Sequence, residues 1–157
     1  MDEDAQIYRS AQPDEESFPE LKRVGIRSVL NLRQGFKDSV KYKEAFDGIR
    51  EYECGVNAGM MKQADLVRAL KIIKEAPRPL LIHCLHGSDR TGTVVAAYRI
   101  VFQGWTPEQA VTEMEHPRYG MHKFFYPNLS TLIKRADWAK IRQEVLGSSQ
   151  TQEKTGK

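Results

Sequence analysis

Cysteine is scarce in this chain, with two thiols, Cys54 and Cys84, in 157 residues. A disulfide-stapled scaffold and an all-cysteine zinc centre are both excluded by that count. The four histidines, His83, His86, His116 and His122, follow no recognisable ligand spacing, so no metal and no cofactor is expected. Long apolar runs are lacking too, and nothing approaches the roughly 20 residues of a membrane span. The opening Met1-Asp2-Glu3-Asp4 is acidic and has neither the basic start nor the apolar centre of a secretory signal. As written the chain reads as cytoplasmic, and as periplasmic if a leader was removed. An excess of one charge is also missing. The balance of 24 Lys+Arg against 21 Asp+Glu leaves +3, too little to argue for a nucleic-acid partner or a membrane surface.

What is present reads as one globular domain. At 40% hydrophobic and 29% charged residues the composition is ordinary, and the length suffices for one buried core. The domain is placed at residues 1–146. Residues 147–157 are polar without apolar periodicity and are expected to be a disordered tail. There is no internal repeat.

The chemistry is concentrated in one string. His83-Cys84-Leu85-His86-Gly87-Ser88-Asp89-Arg90-Thr91-Gly92 follows the apolar run Pro79-Leu80-Leu81-Ile82 and leads into a helix-like stretch. Five residues separate Cys84 from Arg90, the length of a loop that curls around one tetrahedral anion. Backbone N–H groups of Leu85, His86, Gly87, Ser88, Asp89 and Arg90 can then converge on phosphate oxygens, aided by the positive end of the following helix. Gly87 permits the curl. Arg90 supplies a planar, permanently charged fork for two oxygens, which Lys does not reproduce. The same N–H dipoles favour a thiolate at Cys84, the nucleophilic form. Cys54, in Glu51-Tyr52-Glu53-Cys54-Gly55, lacks such company and reads as a core residue. Pairing the two cysteines would disable the nucleophile, so two free thiols are expected.

That string resembles the signature of the cysteine-based protein tyrosine phosphatases in their dual-specificity branch. The similarity extends from Tyr8-Arg9-Ser10-Ala11-Gln12-Pro13 through Val29-Leu30-Asn31-Leu32-Arg33 to the Tyr98–Trp105 stretch. It points to the small bacterial dual-specificity-like phosphatases and, more distantly, to the atypical plant and fungal group. The resemblance implies a tyrosine-phosphatase fold and phosphomonoester hydrolysis through a cysteinyl-phosphate. Thr91, if its hydroxyl bonds the departing sulfur, would ease hydrolysis of that intermediate; otherwise it is a first-turn helix residue. His83 is expected to orient the loop.

The proton donor is left open. Dual-specificity phosphatases usually carry an aspartate ahead of the helix that precedes the nucleophile, but the matching Val56-Asn57-Ala58-Gly59-Met60-Met61 has no carboxylate. Asp65 is the nearest acid and lies where a helix should already have begun, a place for first-turn charge. Asp89 precedes the arginine as in myotubularin-type enzymes, and is either the donor or a tether for the loop. His86 is a further donor or a solvent-facing bystander. Arg9 and Ser10 read as scaffold or site, and Arg33 as ligand contact or surface ion pair.

Periodicity supplies an α/β frame, a central mostly parallel sheet flanked by helices. A short helix near Phe18–Arg23 precedes a strand over Gly25–Leu32. Leu66, Val67, Leu70 and Ile73 mark a helix stopped before Pro77 and Pro79. Val94, Val95, Tyr98, Val101 and Phe102 face one side of a helix ending at Gly104. Thr106-Pro107-Glu108-Gln109 spells a capping box with Pro at the first helical position. Asn128 is the expected cap of the last helix, which turns Leu129, Leu132, Ile133, Ala136 and Ile141 inward. The expected partner is a phosphorylated substrate: a protein, a phosphoinositide or inositol phosphate, or a small metabolite. A pseudophosphatase that only binds phosphorylated partners is the alternative, and rhodanese-like sulfur transfer a weaker one.

Overall fold

A computed structural model describes residues 6–147. Four short strands, β1 (Ile7–Ser10), β2 (Ser28–Asn31), β3 (Arg50–Glu53) and β4 (Leu80–His83), pair in the order β1-β4-β2-β3. Every pairing is parallel. The central strands β4 and β2 are buried at all four positions each, which is why both read as near-continuous apolar runs.

Alternation along those strands divides the apolar side chains between two cores. Leu30, Leu80 and Ile82 join the larger one with residues of α3 (Gln63–Glu75), α4 (Asp89–Gln103), α5 (Pro107–Met114), α6 (Pro127–Arg135) and α7 (Trp138–Arg142). Val29 and Leu81 face the opposite way, onto Phe18 of α1 (Phe18–Val24) and Phe46. A short helix, α2 (Asp38–Lys41), follows β2. The sheet is therefore covered on both faces, with α4 buried along most of its length.

The C-terminal end of the sequence departs from expectation in three places. Tyr126, not Asn128, precedes the first residue of α6, because Pro127 occupies a first-turn position that needs no N–H partner. Asn128 instead donates to the carbonyl of Ala58 at 2.9 Å. The expected single helix is two, since Asp137 caps α7 by accepting from the Lys140 amide at 3.1 Å. Finally, a π turn that periodicity did not mark spans Gln143–Gly147 and buries Val145 in the larger core. The rest of the expected tail, 148–157, lies outside the described residues.

The loop between β4 and α4 leaves the C-terminal edge of the central strand, where open parallel sheets place their ligands. Gly87 there has φ +73°, and a Cβ on it would lie 2.6 Å from backbone atoms of Ser10 and Ala11. Both the left-handed conformation and the close approach of β1 demand glycine. Gly87→Ala should cost about 2–3 kcal/mol, lowering Tm by roughly 5–10 °C in a thermal melt, and should cut phosphatase turnover more than about tenfold. A stable variant of undiminished activity would contradict this packing.

Candidate active site

Cys84 is the first residue after β4 and is buried, at 1% exposure. A cavity of about 220 Å³ is lined by Cys84, Leu85, His86, Asp89 and Arg90 from the loop. Ala58, His122, Phe125 and Tyr126 close its other side. The nucleophile and the guanidinium predicted five residues apart thus face one space. Larger surface hollows exist, one of them between Trp105 and Tyr119, but none of their walls carries a cysteine.

The loop is braced from several sides. Gln12 N–H donates to the Leu85 carbonyl at 3.0 Å, and Arg9 Nη2 donates to the Gly87 carbonyl at 2.8 Å. The Arg9 guanidinium also stacks over the Tyr119 ring, 4.3 Å from its centroid. Burial pushes the Arg9 pKa down, against Tyr119, Glu113 and Cys84, which favour its charge. Arg9 is therefore a brace for the loop. Ser10 works through its backbone, as the neighbour of Gly87. Arg90 Nη1 donates to the carbonyls of Val56, at 3.2 Å, and Leu32, at 3.5 Å, so the backbone that follows β3 and β2 orients the fork.

His83, the last residue of β4, is fully buried and links Cys84 to α2. Its Nδ1 lies 3.1 Å from the Cys84 carbonyl, and its Nε2 contacts Asp38 Oδ2. Asp38 Oδ1 accepts from Gln12 Nε2 at 2.6 Å, and Gln12 Oε1 accepts from Arg33 Nη1 at 2.9 Å. Arg33 also stacks on Phe36; it does not line the cavity, and among the described residues it forms no ion pair. Glu51 fixes the start of α2 by accepting from the amides of Asp38 and Ser39.

Thr91 sits directly after Arg90 in the first turn of α4. Its hydroxyl is the one buried side-chain polar atom among the described residues with no hydrogen-bond partner. Leaving such a group unsatisfied costs about 1–3 kcal/mol. Ser88, also in the loop, is 5% exposed, with its hydroxyl 3.4 Å from the His86 carbonyl. Cys54 is buried 2% exposed in the larger core, and burial pushes its thiol pKa up. Both cysteines are free.

The carboxylates sort clearly. Asp65 accepts from the Lys62 amide at 2.8 Å and pairs with Arg68, which makes it the cap of α3. It is not a lining residue of the cavity. Asp89 is, at 6% exposure, and both of its oxygens are engaged by one residue. Oδ1 accepts from the His122 amide and Oδ2 from His122 Nδ1, each at 2.8 Å. His122 and Asp38 escaped the sequence reading; each is an isolated polar residue in a loop-like stretch, and only the fold carries it to the site. His86 approaches the His122 ring edge-on at 5.3 Å. His86, Asp89 and His122 each offer a metal-ligand type of atom, all within 4.8 Å of one another, a grouping their sequence spacing hides.

A buried cysteine and an arginine fork lining one cavity at the end of a central parallel strand fit a cysteine-based phosphatase class of site. Residues 2–126 match the model of the tyrosine phosphatase family, and the chain belongs to that family. The dual specificity protein phosphatase TpbA of Pseudomonas aeruginosa is 34% identical over 116 residues, 73% of this chain and 52% of that protein. Inositol diphosphatase DSP3 of Arabidopsis thaliana is 32% identical over 117 residues, covering 69% of this chain and 57% of the relative. The chain thus spans about half the length of the curated relatives it matches. The crystal structure of TpbA superposes with a TM-score of 0.80 at 30% identity, over 90% of this chain and 86% of that one. The core catalytic domain of the PP-IP phosphatase SIW14 from Saccharomyces cerevisiae gives 0.76 at 26%, over 93% and 88%.

The His83–Asp38 contact makes a stability test. Burial pushes the Asp38 pKa up, but the hydrogen bonds from His83 and Gln12 outweigh it and hold the carboxyl below its ordinary value of 3.8. A depressed folded-state pKa stabilises at pH above the unfolded value and stops doing so as pH falls through the folded one. Asp38→Asn should therefore lose about 2–4 kcal/mol in urea unfolding at pH 7. The gap to the parent protein should narrow once pH drops below 3.8. A gap that is constant down to strong acid would contradict the charged pairing.

Proposed function

We propose that this protein hydrolyses phosphomonoesters through a cysteinyl-phosphate, as a dual-specificity or tyrosine-type phosphatase. The observation that carries this reading is one small cavity holding Cys84 and Arg90 at the ends of a single braced loop. Cys84 Sγ attacks phosphorus in line with the leaving oxygen. Arg90 and the backbone N–H groups of Leu85 to Arg90 stabilise the equatorial oxygens as charge spreads over them. Water then attacks the phosphorus, breaking the S–P bond. The unsatisfied Thr91 hydroxyl supports a role in that second step, because a partner forms when negative charge returns to the sulfur.

Size and chemistry of the cavity favour a phosphate on an aromatic or similarly flat alcohol. Its volume, about 220 Å³, lies below the roughly 300–1,000 Å³ of sites that enclose a whole small molecule. It admits a phosphoryl group and the atoms next to it. Leu85, Phe125 and Tyr126 make much of the rim apolar, and Arg90 is the one arginine or lysine among the lining residues. A polyanion such as an inositol polyphosphate would call for more cations. The inositol diphosphatase relatives support that substrate class as the second reading. A pure phosphate-binding role has no use for a buried thiol beside the arginine.

A metal-free assay on an aryl phosphate tests the reading. The parent protein should turn over, Cys84→Ser should lose activity by at least about 10⁴-fold, and Thr91→Val should fold normally yet accumulate a phosphorylated enzyme on rapid quench. Full turnover by Cys84→Ser would overturn the mechanism. Phosphotyrosyl peptide should exceed inositol polyphosphates in kcat/KM.

A further inference from the structure

We propose that His122 is the proton donor to the leaving group, with Asp89 as the buried carboxylate that positions it. The inference rests on the phosphatase reading above and deepens it. The need is chemical: expelling a poorly stabilised alkoxide or phenoxide requires a proton, and the segment Val56–Met61, facing the cavity through Ala58, has no carboxylate to give one. Asp65 is committed to capping α3.

His122 is fixed at three of its polar positions. Its amide donates to Asp89 Oδ1 at 2.8 Å. Its carbonyl accepts from the amides of Phe125, at 3.0 Å, and Tyr126, at 2.9 Å, in a tight turn before α6. Its ring Nδ1 donates to Asp89 Oδ2 at 2.8 Å. Among the described residues only Nε2 is left without a partner, on a side chain that is 42% exposed and lines the same cavity as Cys84 and Arg90. A carboxylate on one ring nitrogen and an open second nitrogen is the arrangement that sets the tautomer and orientation of a catalytic imidazole. Asp89 itself has both oxygens taken by His122, and so acts through it. His86, by contrast, has no hydrogen bond to its ring among the described residues and approaches His122 edge-on. The ionisable groups lining this cavity are Cys84, His86, Asp89, Arg90, His122 and Tyr126.

The steps balance. As the Cys84 Sγ–P bond forms and the P–O bond breaks, the leaving oxygen takes the proton from Nε2 of the His122 imidazolium, leaving neutral imidazole bonded to the Asp89 carboxylate. In the second step Nε2 takes a proton from the attacking water, the new P–O bond forms, and the S–P bond breaks to return thiolate. The imidazolium is restored for the next turnover.

His122→Asn tests this, because an asparagine amide can still donate to Asp89 in place of Nδ1 but has no proton to transfer. Assays run with EDTA, so that no ion bridges the three neighbouring side chains. On phenyl phosphate, kcat/KM should fall about 10²-fold or more, whereas 2,4-dinitrophenyl phosphate, whose leaving group needs no proton, should change less than about threefold. His122→Ala should be equally selective and regain activity on phenyl phosphate with added imidazole. Equal losses on both substrates, no loss on either, or no rescue would each overturn the assignment. Turnover of the dinitrophenyl ester by the parent protein reports separately on the phosphatase reading.

Discussion

The proposed reaction requires a sulfur and a guanidinium to address the same anion from opposite ends of a five-residue loop, and the chain has to turn back on itself to let them. That constraint organises the rest of the molecule. Gly87 makes the turn at positive φ, in a space too tight for any Cβ because the end of β1 passes within van der Waals distance. Arg9 grips the carbonyl of the same glycine. His83 ties the Cys84 carbonyl to Asp38 of α2. The loop is thus held by backbone contacts and buried polar bonds, and its geometry is set before a ligand arrives, which lowers the cost of binding and of reaction.

The sheet serves this arrangement by placing β4 at its interior, between β1 and β2. Its C-terminal edge therefore receives groups from three neighbouring segments: Arg9 near the end of β1 with Gln12 just beyond it, Leu32 after β2, and Val56 after β3. Each supplies a donor or acceptor to the loop or to Arg90. A parallel sheet is suited to this because all its strands end on the same side.

Much of this was legible in the residues, and the limits have physical causes. Apolar runs exposed β2 and β4, the spacing of Leu66, Leu70 and Ile73 exposed α3, and the capping box at Thr106–Gln109 marks α5, whose reciprocal bonds the structure contains. Gly87 and Arg90 could be assigned because their roles depend on backbone conformation and permanent charge, which belong to the residue itself. Asp38 and His122 could not, since their roles arise from distant segments meeting; 45 and 33 residues separate them from His83 and Asp89. Asp89 was recognised, but its use was undecidable without its partner. The break between α6 and α7 was obscured because Ile133 and Ile141 keep facing the core on both sides of it.

Vanadate offers the most direct test of the central claim, since it mimics the five-coordinate phosphorus of the transition state. A crystal structure of the complex should have vanadium bonded to Cys84 Sγ, Arg90 across two equatorial oxygens, and amides of the 85–90 loop on the remainder. Vanadate seated elsewhere, or a sulfur out of bonding reach while Arg90 faces away, would contradict the account.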